Sequence, residues 1–270
     1  MSRIVGWTRQ HRLVVFFVLT FVFSWWPWPF AAAGLAPTTF FACGPLLAAL
    51  VVIGVAEGAQ GYRALGARMI RWRVGWRWWV VAVGTPLAVL AVAAVANVMI
   101  WDAPAPVWAQ VSWASLLLAL AVRFVNPLDG PLGEEPGWRG YALPLLQTDR
   151  SPLAAGLILA PIVALWHLPL VVAGQLAPFA LPVTCAITLV YVWLFNHTAG
   201  SVLLTMVFHI VQGTGYAFIG FAGADAVRMD WLTGALWCLL ALGIVALDRP
   251  AWRAAPRSAV ASPNTEHVPA

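Results

Sequence analysis

The sequence contains very little charge: only 9% of its 270 residues are Asp, Glu, Lys or Arg, whereas 62% are hydrophobic. A soluble globular domain carries about 25% charged residues, so this composition excludes a water-soluble fold. The hydrophobic residues form long runs, and a helix needs about 20 apolar residues to cross a bilayer core. The composition therefore indicates a membrane protein built from apolar helices.

Lysine is absent, and all fifteen basic residues are arginines, which give a formal net charge of +5. These arginines lie at the ends of the apolar runs, and no basic face interleaved with aromatic residues occurs. The charge therefore reflects orientation in a membrane, because cytoplasmic loops collect Lys and Arg. A nucleic-acid partner is not indicated.

Cysteine is also scarce, with only three residues, Cys43, Cys185 and Cys238. They are far apart in apolar runs and have no CxxC or Cys/His spacing, which argues against a disulfide framework and a zinc finger. The HExxH spacing of the common zinc proteases is missing as well.

The apolar residues form eight blocks, of which the fourth and sixth are the shortest. We expect an all-α, polytopic transmembrane helical bundle of about eight spans, with both termini cytoplasmic. The first block resembles a signal peptide but is longer, so we expect a retained helix. The blocks are 13–33, 39–56, 78–101, 112–127, 152–173, 179–196, 200–221 and 230–247.

Three regions follow from these blocks. Residues 1–111 would hold transmembrane helices 1 to 3 with a basic cytoplasmic loop at 57–77. Residues 112–250 would form the rest of the membrane core, and residues 251–270, rich in Pro, Ala and Ser, a disordered cytoplasmic tail. Most arginines fall on one face of this arrangement, including Arg139 and Arg150, whereas Arg228 lies in an opposite loop and Arg123 within the fourth block.

Tryptophans gather where this arrangement places the membrane interfaces, where amphipathic rings are favoured. We expect them to anchor the helices at Trp25, Trp26, Trp28, Trp72, Trp76, Trp78, Trp79, Trp101 and Trp108.

Two adjacent carboxylates, Glu134 and Glu135, follow a segment interrupted by proline and glycine at 126–131. If this region is helical, Glu135 and Arg139 are four residues apart and share a face, which predicts an ion pair. Glu134 is rotated by about 100° from Glu135 and stays unpaired, so it could serve as a general base. The alternative is that both carboxylates stabilise the start of a surface helix.

Histidines within apolar blocks are costly in a bilayer and indicate function by default. His167 and His209 are such residues, and Gln212 lies one turn after His209. A satisfied core histidine and interhelical hydrogen bonding remain alternatives. His197 is expected to be a solvated interfacial residue, while the adjacent Asn196 could cap a helix or line a cavity.

These motifs resemble those of the CPBP family, also called the Abi or CAAX-protease-and-bacteriocin-processing family, which includes the Rce1 CAAX prenyl endopeptidases. The segment GEEPGWRGYALP at 133–144 fits the family's EExxxR motif, and WHLP at 166–169 resembles its second motif. The stretch from Trp193 through Asn196 and Ser201 to His209 resembles the third. The resemblance covers roughly residues 112–221.

The resemblance implies an intramembrane endopeptidase that opens toward the cytoplasm. Glu134 would polarise the attacking water, His167 would orient it, and His209 would stabilise the oxyanion or bind a metal. Glu135 and Arg139 would hold the motif in shape.

Two positions depart from the family pattern. Val163 replaces an aromatic residue four before the second-motif histidine, and Gly213 replaces an Asn or Asp four after the third-motif histidine. Gln212 or Asn196 could supply the missing amide.

Glu134, His167 and His209 also offer three ligands for a divalent metal such as zinc, although the same residues can act without one. The substrate is expected to be a membrane-associated or lipidated peptide, and the location the bacterial cytoplasmic membrane. The competing hypothesis is a non-catalytic immunity or transport protein that keeps the family fold.

Overall fold

The computed structural model describes residues 2–106, 112–217 and 220–254, so Trp108 and the predicted tail from residue 255 onward lie outside it. Within these ranges the chain is helical and contains no strand. The first half comprises α1 (Ser2–Gln10), α2 (Arg12–Trp25), α3 (Trp28–Ala32), α4 (Gly44–Ala56), α5 (Ala59–Met69) and α6 (Trp76–Trp101).

The second half carries the polar motifs on a mixture of long and very short helices. These are α7 (Trp113–Val125), α8 (Pro131–Gly137), a π-helical turn (Trp138–Ala142), α9 (Leu143–Leu146), α10 (Pro152–Trp166), α11 (Leu168–Val172), α12 (Ala180–His197), α13 (Val202–Ala217), α14 (Gly223–Leu247) and α15 (Arg249–Trp252).

Eight apolar segments match the eight predicted blocks, which confirms a polytopic helical bundle. Judged by length and composition, five segments can cross a membrane: Arg12–Ala32, Trp76–Trp101, Pro152–Val172, Ala180–His197 and Gly223–Leu247. Three shorter apolar helices complete the set: Gly44–Ala56, Trp113–Val125 and Val202–Gly215. All three cysteines are free.

The last long helix begins earlier than the sequence predicted, at Gly223 rather than at residue 230. Arg228 donates to Asp225 over 2.7 Å and to the side-chain oxygen of Asn97 on α6 over 3.1 Å. The assignment of Arg228 to a loop was therefore wrong, because its charge is paired within the first turns of α14.

The basic segment 57–77 is folded rather than an open loop. It contains α5, whose Tyr62 hydroxyl donates to the carbonyl of Leu50 over 2.8 Å. Beyond α5, the Arg71 guanidinium donates to the carbonyl of Ala199 over 2.9 Å. The Ser201 hydroxyl donates to the carbonyl of Arg71 over 2.6 Å. The last two bonds tie the first half of the chain to the segment just before α13.

The segment predicted as a disordered tail begins with a folded turn, α15. Trp252 is 2% exposed, and its indole N–H donates to the carbonyl of Ile244 over 3.0 Å. The prediction of disorder from residue 251 was wrong for this turn, because an aromatic ring covers the end of α14.

The tryptophans do not all act as interfacial anchors. Trp76 is 79% exposed, as an anchor in the headgroup region would be. Trp25 instead donates to the carbonyl of Trp166 over 2.9 Å, and Trp78 stacks on His197 with ring centroids 4.8 Å apart. The last two therefore join helices inside the bundle.

The hydrophobic core surrounds the π-helical turn. Phe16 of α2 contacts Trp138 edge-to-face, with ring centroids 5.7 Å apart, and Trp138 contacts Trp166 of α10 at 5.6 Å. All three rings are fully buried. The first apolar block is therefore part of the wall that supports the carboxylate motif.

Candidate functional site

The carboxylate motif lies on one continuous helical run from Pro131 to Leu146. Gly130 precedes it with φ +59°, a conformation that glycine adopts without steric cost. Pro131 occupies the first turn, where its missing N–H is not needed. The helix expected over the motif is confirmed, but the sequence analysis did not predict its π-helical turn, a feature often found at functional sites.

The backbone of α8 lies directly against α4. A Cβ atom added to Gly133 would lie 2.7 Å from the carbonyl oxygen of Ala42, and one added to Gly137 would overlap the backbone of Pro45. Glycines four residues apart are typical of helices that approach closely in membranes. The spacing was visible in the sequence, but its meaning required a partner helix.

A buried charge network lies behind the site. The Arg139 guanidinium donates to Oε1 of Glu135 over 3.0 Å, which confirms the predicted ion pair. Nδ1 of His209 contacts the same oxygen at 2.9 Å, a partner that the sequence did not predict. Because Arg139 is only 2% exposed, it cannot report on membrane orientation, and counting it with the loop arginines was wrong.

His167 lies where α10 ends and α11 begins. Its Nδ1 is 2.8 Å from the carbonyl oxygen of Val163, and a carbonyl can only accept, so Nδ1 carries the proton. In the neutral ring, Nε2 is therefore an acceptor. The ring of Phe40 stacks on His167 with centroids 6.3 Å apart. Phe40 thus brings an aromatic ring to this histidine, although Val163 lacks one.

Glu134, His167 and His209 line one cavity of about 90 Å³. Glu134 is 7% exposed, its backbone N–H donates to the carbonyl of Gly130 over 2.8 Å, and its side chain lines the cavity. A water molecule needs about 10–15 Å³ of such a cavity, so there is room for several. It is also lined by Arg139, Val163, Thr184, Ile187, Thr188, Tyr191 and Gln212.

The contribution of α12 was missed by the sequence analysis. Thr184, Thr188 and Tyr191 face the cavity and are separated by four and three residues, which places them on one side of a helix. Polar residues at this spacing in an apolar block indicate a polar helix face, which the sequence alone could have shown. The Tyr191 hydroxyl donates to Oε1 of Gln212 over 3.1 Å, which orients that amide.

The structure does not bring Asn196 to this cavity. A separate cavity of about 210 Å³ lies at the end of α12, and its lining includes Asn196, His197 and Arg150. His197 also contacts Oδ2 of Asp248 at 2.6 Å. It is therefore partly buried and paired, rather than the freely solvated residue that the sequence predicted.

The three cavity residues do not form a metal-binding cluster as they are placed. No group of three or more His, Cys, Asp or Glu side chains among the described residues is arranged to hold an ion. The donor types suit zinc, but their positions do not, so no step of the reaction below is routed through a metal.

Comparison with known proteins relates this region to one family. A family model described as type II CAAX prenyl endopeptidase Rce1-like matches residues 112–214. That segment contains Glu134, His167 and His209, whereas no curated protein matches the chain significantly. The part of the chain that builds the cavity is therefore similar to Rce1-like endopeptidases.

Proposed function

We propose that this protein is an intramembrane endopeptidase in which Glu134 activates a water molecule for attack on a peptide bond. One observation carries the proposal: Glu134, His167 and His209 come from three helices and line the same small cavity. The match to Rce1-like endopeptidases supports the same reaction class.

The hydrogen bonds suggest a role for each group. Glu134 accepts a proton from water as the water oxygen attacks the carbonyl carbon, and later delivers that proton to the leaving amine. Nε2 of His167 accepts the second water hydrogen, because Nδ1 already donates to Val163. His209 presents Nε2 to the cavity, because its Nδ1 is bound to Glu135. When protonated, it donates to the developing oxyanion.

The substrate would be a membrane-associated or lipidated peptide. The cavity admits water and the reacting atoms of an extended chain but not a folded segment. The arginines of segment 57–77 favour a cytoplasmic location for that end of the bundle. We place the protein in a bacterial cytoplasmic membrane with both termini in the cytoplasm.

The test is a cleavage assay with purified full-length protein in detergent. The probes are a farnesylated peptide with a CAAX-type end and a panel of transmembrane peptides, with products identified by mass spectrometry. We expect Glu134→Gln to lower kcat by about 10²–10⁴ without loss of folding, since general-base catalysis contributes that range.

A matched pair of histidine variants provides the control. His209→Gln should remove activity, whereas His197→Gln should retain it, because His197 lies in the other cavity. Equal cleavage by wild type and Glu134→Gln would refute the proposed base. If the variants at Glu134, His167 and His209 all preserve a cellular phenotype, the non-catalytic immunity or transport hypothesis is supported instead.

The metal question needs its own measurement on the same protein. We expect activity to survive chelation and metal content to be substoichiometric. Loss of activity on chelation, followed by recovery with zinc, would assign Glu134, His167 and His209 as ligands and would require the helices to close further.

A further inference from the structure

Gly213 is the position where the family usually has an Asn or Asp, one turn after His209, and the space beside it is filled. A Cβ atom added to Gly213 would lie 2.7 Å from Nη1, 2.9 Å from Nη2 and 3.0 Å from Cζ of Arg123. Real Cβ atoms essentially never approach closer than 3.0 Å. The Arg123 guanidinium therefore occupies the volume that a side chain at 213 would need.

The same guanidinium lies close to the reacting groups. A point on Gly130, where a Cβ atom would be, is 3.2 Å from Oε1 of Glu134 and 3.6 Å from Nε2 of His209. It is also 3.8 Å from Nη2 of Arg123. The base, the histidine and the guanidinium thus all lie within 4 Å of one point beside Gly130.

Arg123 has an incomplete set of partners. Its Nη2 is 3.5 Å from Oδ1 of Asp129, whose side chain is 44% exposed. Its Nε is buried without a hydrogen-bond partner in the described residues. A partly buried cation next to a single, half-exposed carboxylate has donors left for a further anionic group.

Building on the proposed endopeptidase function, we infer that Arg123 is a catalytic residue that donates to the oxyanion in place of the amide missing at position 213. As water attacks, the carbonyl π electrons move onto oxygen, and the guanidinium stabilises that charge without gaining or losing a proton. A charged donor forms stronger hydrogen bonds than a neutral amide. The smallest residue at 213 is what gives Arg123 access.

The experiment replaces the guanidinium of Arg123 by an amide at position 213 in the same protein. Arg123→Ala should lower kcat by about 10²–10³ with little change in KM, as for loss of one oxyanion donor. The double variant Arg123→Ala with Gly213→Asn should recover much of this loss, since the vacated volume then accepts an amide. Added guanidinium ion should partly rescue Arg123→Ala but not Glu134→Gln.

Arg73 provides the control, because it is exposed and distant in sequence from Arg123. Arg73→Ala should therefore retain activity. Arg123→Lys, which keeps the charge but loses the planar donor geometry, should be intermediate. If Arg123→Ala does not fold, Arg123→Lys and the double variant decide the question. Full activity in Arg123→Lys, together with no recovery of activity in the double variant, overturns the inference.

Failure of this inference is distinguishable from failure of the proposed function. Cleavage that is lost in Glu134→Gln but unchanged in Arg123→Ala overturns the role of Arg123 alone. The same holds if Gln212→Leu, rather than Arg123→Ala, lowers kcat. A wild-type protein that cleaves none of the probe peptides, although correctly folded, would count against both.

Discussion

The helix that carries the carboxylates and the helix that carries Arg123 differ sharply in packing. Every residue of α8 except Leu132 is buried, whereas α7 has no buried residue. Leu117 and Leu118 on α7 are 66% and 64% exposed, as expected for a helix that faces lipid. The carboxylates thus lie on the most tightly held helix of the site, while Arg123 comes from the most peripheral one.

This difference separates two requirements of the proposed chemistry. A base and its supporting ion pair must be held in one geometry, and dense packing against α4 provides that. The Arg123 guanidinium carries five N–H donors on a long side chain, so one donor can reach the oxyanion even if the backbone of its helix is held less rigidly. A peripheral helix can therefore supply Arg123 without loss of the rigid part of the site.

The largest effect is expected at the buried charge network. Glu135→Gln leaves the charge of Arg139 uncompensated in the core, which should cost about 3–5 kcal/mol of folding free energy. Asp129→Asn, on the rim beside Arg123, should cost less than about 1 kcal/mol, because Asp129 is half-exposed. Thermal unfolding of both variants in the same detergent measures the contrast, and equal losses would contradict the division into a rigid and a peripheral side.

An intermediate effect is expected at the contact of α8 with α4. Gly137→Ala forces a methyl group into the backbone of Pro45, and such overpacking costs about 1–3 kcal/mol. Gly66→Ala in α5 is the matched control, because a Cβ atom there has nothing within 4 Å. A melting temperature for Gly137→Ala as high as that of the Gly66 variant would show that the two helices separate easily.

The smallest effect is expected at Asp248, which follows α14 and belongs to neither α7 nor α8. The Trp193 indole N–H donates to this carboxylate over 2.8 Å and lowers its pKa below the ordinary value, with a further contribution from His197. A lowered folded-state pKa stabilises the fold above the unfolded pKa of about 3.9. That stabilisation is lost as the pH falls through the folded-state pKa.

Asp248→Asn should therefore lower the free energy of unfolding at pH 7 by less than about 1 kcal/mol, since the group is one-third exposed. The melting temperature measures this loss. The difference from wild type should vanish toward pH 3. A difference that grows as the pH falls would mean that the pKa of Asp248 is raised rather than lowered.

Much of the local structure was predictable from the sequence. The eight apolar blocks, the helix through Glu134 and the pairing of Glu135 with Arg139 depend on composition and on helical periodicity, which act over a few residues. The burial of Trp252 and the start of α14 were not predicted, because both depend on partners elsewhere in the bundle.

The candidate site itself was only partly predictable. Two histidines and a carboxylate could be singled out, since ionisable groups in apolar membrane helices are costly and therefore indicate function. The link between His209 and Glu135, the stacking of Phe40 on His167 and the position of Arg123 beside Gly213 could not. Each joins residues from helices whose relative placement no local pattern encodes.

The sequence by itself determined that this chain forms apolar helices, and which ionisable residues those helices carry into the membrane, because hydrophobicity and helical spacing are local properties. Only the tertiary structure decided which of these groups share a cavity. It placed Asn196 in a different cavity from His209, and it placed Arg123 beside Gly213. The physical reason is that helix packing, set by close contacts such as Gly137 on Pro45, determines which faces meet.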